Sequence, residues 1–227
     1  MPADRAPEEL AARIGHDFAR IDLLERAVTH SSFGVSGNNN QRLEFLGDRV
    51  LGLVLADCLI NRFPDEPEGD LAKRLGSLAD GRTLATIAGE IELSDWLRTG
   101  EGDQASDIAS SQAVLADALE AVIGAVYLDG ELGAARGLVE RLWEGSLSEQ
   151  SCPPVDSKTA LQEWVQARSQ PLPQYNVVSR TGPDHAPEFT VEVSVSGLTP
   201  ARASSGSKRS AEQKAAAAML DAIDIDR

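Results

Sequence analysis

The sequence predicts two domains, an all-α domain followed by a small α+β domain with the element order α-β-β-β-α. Apolar residues recur with the helical period through the first two-thirds of the chain. Residues 148–155 are polar and contain paired prolines, which is typical of a linker. After the linker, two segments alternate apolar and polar residues as β-strands do. We therefore expect a helical domain over 1–147, a linker over 148–155 and a second domain over 156–227.

The helices of the first domain follow from the spacing of its apolar residues. Clusters of Gly, Pro, Asp and Asn at 34–40, 64–69 and 100–111 interrupt the helical pattern and predict loops. Between them the pattern predicts helices over residues 10–14, 23–28, 43–60, 71–91, 113–127 and 134–147.

The second domain begins with Asp156, a residue type that favours a helix N-cap, and the helical pattern continues from there. Residues 175–179 and 189–195 alternate as strands, and 198–203 can supply a third. The Ala-rich segment 207–223 predicts a closing helix. This order suits a small self-contained α+β domain.

Composition limits the class of protein. The net charge of −15 argues against a nucleic-acid partner, yet the charge is uneven. Residues 1–155 hold 13 Lys and Arg against 27 Asp and Glu, whereas 156–227 hold 8 against 9. The start of the chain is too polar for a signal peptide, and no apolar run is long enough to span a bilayer. Two unrelated cysteines give no disulfide framework, so we expect a cytoplasmic protein with no membrane partner.

Two pairs of carboxylates stand in apolar helical segments. Glu44 and Asp48 are four residues apart, and Asp117 and Glu120 are three apart, so each pair lies on one helical face. Buried carboxylates need a cation or a proton nearby, and hard ions such as Mg²⁺ and Mn²⁺ prefer oxygen ligands. His and Cys are absent around both pairs, which argues against zinc. The alternative is that each pair is a solvated stripe, but its occurrence twice in apolar runs favours a metal site.

Three motifs resemble bacterial ribonuclease III. They are Arg42-Leu-Glu-Phe-Leu-Gly-Asp48 with the following Val50-Leu-Gly52, then Glu68-Gly-Asp-Leu71, then Leu115-Ala-Asp-Ala-Leu-Glu-Ala-Val-Ile-Gly124. The resemblance implies a homodimeric endonuclease that hydrolyses double-stranded RNA to 5′-phosphate and 3′-hydroxyl ends with short 3′ overhangs. It further implies processing of ribosomal and other precursor RNAs, with Mg²⁺ as cofactor and Mn²⁺ able to substitute.

The same resemblance assigns roles to the acidic residues. It makes Glu44, Asp48, Asp117 and Glu120 the metal ligands, with Asp48 and Glu120 the catalytic members of the set. Glu68 is an auxiliary acidic residue by this resemblance. The alternative for Glu68 is an acid in the first turn of a helix, where the helix dipole favours negative charge.

The second domain resembles the double-stranded-RNA-binding domain through three segments: Thr159-Ala-Leu-Gln-Glu163, Gly182-Pro-Asp-His-Ala-Pro-Glu-Phe189 and Ser207-Lys-Arg-Ser-Ala-Glu-Gln-Lys-Ala-Ala216. Lys208 and Arg209 stand at a helix start, where free backbone N–H groups favour a phosphate, and Lys214 lies a turn or two further on. The resemblance adds minor-groove contacts at Gln162, Glu163 and His185. The alternative for the basic residues is an ordinary solvated face.

The first acidic helix departs from the family pattern at two positions. Gln41 stands where the family usually has Glu, and an amide carries no negative charge. Arg49 stands where many relatives have Ser, and it either pairs with an acid of the site or faces a dimer partner. Gln41 leaves open an alternative function, a double-stranded-RNA-binding protein that cuts weakly or not at all. A nuclease acting on DNA is disfavoured, because the second domain is of a type that reads 2′-hydroxyl groups.

Overall fold

The computed structural model describes residues 5–33, 38–100, 108–150, 156–183 and 187–225. The chain forms two compact units, Met1–Pro154 and Val155–Arg227. The division falls within the segment predicted as a linker, although the last helix of the first unit continues to Glu149. Among the described helices, none is long and apolar enough to cross a membrane.

The first unit is helical, as predicted. Its α-helices are α1 (Pro7–Ile14), α2 (Ile21–Ala27), α3 (Gln41–Arg62), α4 (Glu68–Leu78), α5 (Gly81–Glu90) and α6 (Gln112–Glu149), with short 3₁₀ turns at Ser31–Phe33 and Leu93–Trp96.

Helix α6 is the centre of the first unit, because α2, α3, α4 and α5 all pack against it. Its residues between Ala116 and Val126 are almost all buried. Against them α3 places a row of buried apolar side chains that includes Leu43, Leu51 and Leu55. Burial of such side chains contributes about 1.5–3 kcal/mol each, so this pair of helices is the main source of stability in the unit.

A kink divides α6 into the two helices that the sequence predicts. Gly130 has φ −127° and ψ 18°, and Glu131 has φ 58°, so neither residue is helical. A positive φ is costly for a residue with a side chain, and it persists only where the surroundings impose it. Both halves of α6 contact α3, since Arg136 in the second half pairs with Asp57 of α3.

Asp129, just before the kink, connects α6 to the start of the chain. Its carboxylate accepts hydrogen bonds from the backbone N–H groups of Ala19 and Arg20 at 3.1 and 2.9 Å. It also lies 2.9 Å from Nε2 of His16. Arg20 is the N-cap residue of α2 and makes no side-chain cap of its own. Asp129 therefore joins α6 to the backbone segment that leads into α2.

The structure corrects the single helix predicted over 71–91, which is two helices. The Asp80 carboxylate accepts a hydrogen bond from the backbone N–H of Thr83 at 2.7 Å and so caps a new helix, α5. The apolar spacing continues across the break because both helices bury one face, which hides the turn from periodicity alone. At the end of α4, before the turn, the carbonyl of Leu78 accepts a 2.9 Å hydrogen bond from the ring N–H of Trp143 of α6.

The second unit has the predicted α-β-β-β-α order. It consists of α7 (Ser157–Gln166), β1 (Gln174–Thr181), β2 (Glu188–Ser194), β3 (Ala201–Ser205) and α8 (Lys208–Ile225). The three strands form one antiparallel sheet in the order β1-β2-β3, and β1 carries an irregularity between Val177 and Ser179. The third strand begins later than predicted, because residues 195–198 form a turn with Gly197 at φ 81°, closed by a hydrogen bond from the N–H of Leu198 to the carbonyl of Val195.

The core of this unit lies between the sheet and the two helices. It contains Leu161 and Val165 of α7, Val193 of β2, and Ala215 and Met219 of α8. The N-cap expected at Asp156 is present, since its carboxylate accepts a hydrogen bond from the N–H of Thr159 at 2.8 Å. The same carboxylate accepts a 2.7 Å hydrogen bond from the side chain of Gln213 and so joins α7 to α8.

Candidate metal centre and RNA-binding residues

Two glycines let α3 and α6 approach each other to backbone contact. A Cβ atom added to Gly47 would lie 1.7 Å from the carbonyl oxygen of Glu120, and one added to Gly124 would lie 2.3 Å from that of Leu43. Any other residue at Gly47 therefore requires the helices to separate. This contact sets the distance between the acidic residues that the two helices carry.

Three carboxylates converge at the crossing. Glu44 of α3 and Asp117 and Glu120 of α6 each place an oxygen atom within 4.8 Å of the other two. All three side chains are partly exposed, so the cluster opens to solvent. Three converging carboxylate oxygens are the donor set that a hard divalent cation prefers. The cluster can therefore hold a divalent metal ion.

The electrostatics of the cluster show that its charges are under-compensated. Burial and the neighbouring carboxylates of Asp48, Asp117 and Glu44 raise the pKa of Glu120 to about 7. Burial, with Asp117 and Asp48 beside it, also raises the pKa of Glu44, and burial raises that of Asp117. A cation placed among these groups would reverse the shifts, because it stabilises the ionised forms. The site is thus suited to a positive ligand.

Asp48, the fourth predicted ligand, is close to the cluster but is not one of the three converging groups. Its carboxylate forms an ion pair with the guanidinium of Arg49. Its charge still acts on Glu44 and Glu120, whose pKa values it raises. Of the two alternatives for Arg49, the structure shows the pairing with an acid of the site.

His30 is a neighbour of the cluster that the sequence did not single out. Its positive form would lower the pKa of Asp117, so the ring lies within electrostatic range of that carboxylate. Its Nδ1 lies 2.8 Å from Oγ of Ser32, and its backbone N–H donates to the carbonyl of Arg98. A single His in a loop produces no periodic pattern in the sequence. Its position shortly before α3, which carries Glu44, is the one sequence feature that relates it to the site.

Gln41 and Glu68 lie outside the three-carboxylate cluster. Gln41 is the first residue of α3, is exposed, and accepts a 3.3 Å hydrogen bond from the side-chain amide of Asn39. Glu68 is exposed in the first turn of α4, where an acid favours the helix dipole. The cluster therefore forms without a carboxylate at position 41.

The predicted RNA contacts of the second unit are exposed where the structure describes them. Gln162 and Glu163 lie on the outer face of α7. Lys208, Arg209 and Lys214 lie on the first turns of α8. His185 lies outside the described residues.

The start of α8 combines a cap with basic side chains. The hydroxyl of Ser207 accepts a hydrogen bond from the N–H of Ser210 at 3.2 Å. The ammonium of Lys208 lies 3.9 Å from the carboxylate of Glu212, which also holds Lys158 of α7 at 2.5 Å. Cations at a helix N-terminus oppose its dipole, so their placement does not serve stability and instead suits an anionic ligand.

Comparison with known proteins gives the family. Residues 20–144 match the model described as "Ribonuclease-III-like", and residues 157–223 match that of the "Double-stranded RNA binding motif". The chain belongs to the ribonuclease III family. Family membership makes it an endoribonuclease, and the second match makes double-stranded RNA its class of substrate.

Similar proteins cover nearly the whole chain. A protein named Ribonuclease 3 from Cereibacter sphaeroides is 51% identical over 92% of this chain and 91% of its own length. One of the same name from Ruegeria pomeroyi is 47% identical over 94% and 95%. The nuclease domain of ribonuclease III from Campylobacter jejuni, solved twice, is 35% identical in both cases. The two structures give TM-scores of 0.60 and 0.58, covering 63% and 66% of this chain and 99% and 97% of theirs.

Proposed function

We propose that the chain is a Mg²⁺-dependent endonuclease that cuts double-stranded RNA to 5′-phosphate and 3′-hydroxyl ends with short 3′ overhangs. The observation that carries this proposal is the convergence of Glu44, Asp117 and Glu120 within 4.8 Å at the crossing of α3 and α6. In this proposal these three residues and Asp48 hold the metal, and Mn²⁺ can replace Mg²⁺. The exposed, first-turn position of Glu68 favours only an auxiliary role for that residue.

The chemistry needs an activated water and compensation of the phosphate charge. A divalent ion bound at these carboxylates would supply both, by lowering the pKa of water and neutralising charge on the phosphate. The chain contributes the acidic groups at a fixed separation. Glu120 is only partly ionised near neutral pH in the metal-free protein, because burial and the neighbouring carboxylates raise its pKa to about 7, and a bound cation would favour the ionised form. Loading of the site is therefore favoured by a higher pH.

The second unit supports the choice of substrate. Its exposed basic residues stand at the capped start of α8, and Gln162 and Glu163 lie on α7, so phosphate and minor-groove contacts come from two helices of one small unit. Domains of this type read the shape of A-form RNA, with little sequence preference. We infer that Lys208, Arg209 and Lys214 bind phosphates, while Gln162, Glu163 and His185 contact the minor groove.

We further propose a homodimer formed through α3. Phe45, Leu53 and Ile60 of α3 are large apolar side chains, yet they are exposed to 69%, 57% and 59%. Their spacing of eight and seven residues places them on one side of the helix. A stripe of large apolar side chains on one helical face is typical of a protein–protein interface. A two-fold partner suits a duplex substrate, whose strands are themselves related by a two-fold axis.

The test is cleavage of a long duplex RNA with Mg²⁺. We expect cutting by the full chain, loss of cutting in EDTA, and loss of cutting by Glu120→Gln with duplex binding retained. Matched control variants are Glu131→Gln and Glu140→Gln, which make the same change elsewhere on α6 and should cut normally. Binding without cutting in either Mg²⁺ or Mn²⁺ would establish the alternative, a protein that binds but does not cleave.

The expected cellular role is the processing of ribosomal and other precursor RNAs in the cytoplasm. It is supported by the 46–51% identity to bacterial proteins named Ribonuclease 3. Depletion of the protein from its host, followed by mapping of ribosomal RNA ends, would test this role. Accumulation of uncut precursor is the expected result, and unchanged ends would contradict it.

A further inference from the structure

Arg49 places a permanent positive charge beside the acidic residues of the site. Its guanidinium pairs with Asp48 and lies 5.7 Å from the centre of the Phe45 ring, one turn earlier on α3. Among the described groups that act on Glu120, three carboxylates raise its pKa and Arg49 lowers it. Arg49 therefore compensates part of the charge that a metal ion would compensate in full.

The geometry of the pair is unusual for neighbours in a helix. Side chains at i and i+1 point about 100° apart, so they do not face each other without bending back. The Asp48–Arg49 contact thus holds the Asp48 carboxylate in an ion pair with its own neighbour. Asp48 is not among the three groups that converge within 4.8 Å, yet its charge acts on Glu120 more strongly than those of Asp117 and Glu44.

We propose that Arg49 is a positioning residue that competes with the metal ion for the Asp48 carboxylate and holds that carboxylate in an ion pair until a metal ion binds. This inference rests on the proposed metal site. It assigns to Arg49 a threshold for metal loading, which is the free energy needed to break the ion pair with Asp48.

Arg49 competes only weakly with the metal ion for Asp48, so it should weaken metal binding without preventing it. The two side chains are 68% and 43% exposed, so the ion pair is screened by solvent. A divalent ion that faces several carboxylates at once will displace a single solvated guanidinium. Removal of the guanidinium should therefore tighten metal binding by about fivefold, the effect of one solvated unit charge a few ångströms away.

The same charge should act in the opposite direction on the metal-free protein. Without Arg49, four carboxylates lie close together with less positive charge beside them, so repulsion in the folded state increases. We expect Arg49→Gln to lower the midpoint of thermal unfolding in EDTA by about 1–3 °C. In saturating Mg²⁺ the difference should disappear, since the ion then provides the compensation.

The experiment is a Mn²⁺ titration of the full chain, followed by the electron paramagnetic resonance signal of the free ion, with Mg²⁺ as competitor. The variants are Arg49→Gln, which removes the charge at nearly the same length, and Arg49→Lys, which keeps it without the planar fork. Both are also made with Asp48→Asn. We expect Arg49→Gln to lower the Kd about fivefold and Arg49→Lys to lower it less.

The measurements in the Asp48→Asn protein show whether Arg49 acts through Asp48. If Arg49 acts through Asp48, Arg49→Gln should change the Kd by less than about twofold once Asp48 is neutral. If Arg49→Gln lowers the Kd equally with Asp48 and with Asp48→Asn, Arg49 acts only through a general charge effect. If Arg49→Gln leaves the Kd unchanged when Asp48 is present, Arg49 does not compete with the metal ion. Either result overturns the inference. If Arg49→Gln does not fold, Arg49→Lys measured in the two backgrounds tests the same dependence on Asp48.

Failure of the proposed metal site has a different signature. Wild-type protein would then show no saturable Mn²⁺ binding, or binding that Glu120→Gln leaves intact. Saturable binding that is lost in Glu120→Gln, together with no effect of Arg49, would retain the metal site and refute only the role of Arg49.

Discussion

Replacement of Gly47 by Ala tests the idea that backbone contact between two helices fixes the site. The new Cβ would lie 1.7 Å from the carbonyl oxygen of Glu120, where a normal contact needs more than about 3 Å. The helices must therefore separate by about 1.5 Å at the point where Glu44 and Glu120 face each other. The Cβ of Gly124→Ala, at 2.3 Å from the oxygen of Leu43, requires a smaller separation.

The energetic cost follows from two opposing terms. Overpacking of a rigid contact costs about 1–3 kcal/mol, and a contact this short belongs at the upper end. Replacement of Gly by Ala inside a helix returns up to about 1 kcal/mol. We expect a net loss of about 2 kcal/mol, which lowers the midpoint of thermal unfolding by about 4–8 °C in a protein of this size. Displacement of the carboxylates by about 1 Å should reduce cleavage on the order of 100-fold.

The assay is thermal unfolding combined with cleavage of a duplex RNA at saturating Mg²⁺. Gly137→Ala is the matched control, since Gly137 is exposed on α6 and a Cβ there meets nothing within 4 Å. It should be slightly stabilising and fully active. The expected order of damage is Gly47→Ala, then Gly124→Ala, then Gly137→Ala. Wild-type stability and cleavage in Gly47→Ala would refute the backbone-contact explanation.

Three further predictions concern pH, assembly and RNA binding. Folding raises the pKa of Glu120 from 4.5 to about 7, so between these pH values the folded state holds a proton that the unfolded state has lost. The free energy of unfolding of the metal-free protein should therefore fall as pH rises from about 5 to 8. The full shift corresponds to about 3 kcal/mol, which partial exposure reduces to about 1–2 kcal/mol; denaturation in EDTA should show this slope, and Glu120→Gln or Mg²⁺ should flatten it. Ile60→Asp should produce monomers in sedimentation, whereas Leu172→Asp, at a residue 54% exposed in the second unit, should not; a dimer that survives Ile60→Asp would exclude the proposed face. Deletion of residues 156–227 should weaken duplex binding most at physiological salt and leave cleavage at low salt, and an unchanged salt dependence of affinity would contradict the role of the second unit.

The predictable part of the fold is the part set by periodicity. The helical first unit, the change to strands and the break in α6 near Gly130 all follow from apolar spacing and Gly placement. The turn at Asp80 does not, because α4 and α5 bury faces that continue one apolar pattern. Its signal was a single capping residue, and many helices contain an Asp without ending there. The late start of β3 likewise depends on a local turn at Gly197.

The acidic site, like the fold, is only partly predictable from the sequence. Spacing predicts which carboxylates share a helical face, and the structure brings Glu44, Asp117 and Glu120 together. The ion pair of Asp48 with its own neighbour Arg49 is not encoded in any helical period. The closeness of the helices depends on Gly47 and Gly124, each three or four residues from an acid on its own helix. That spacing was present in the sequence, but a helical Gly indicates a close approach only when its partner is known.

The contacts of Asp129 affect the order in which parts of the first unit can pack during synthesis. Its carboxylate accepts hydrogen bonds from the backbone N–H groups of Ala19 and Arg20, which precede it by 110 and 109 residues. During synthesis at about 5–20 residues per second, the first helices emerge roughly 5–20 seconds before this acceptor exists. The second unit has no such delay, because Asp156 caps α7 from the adjacent residue. The contacts that join the amino-terminal segment to Asp129 can therefore form only after the first half of α6 has been made.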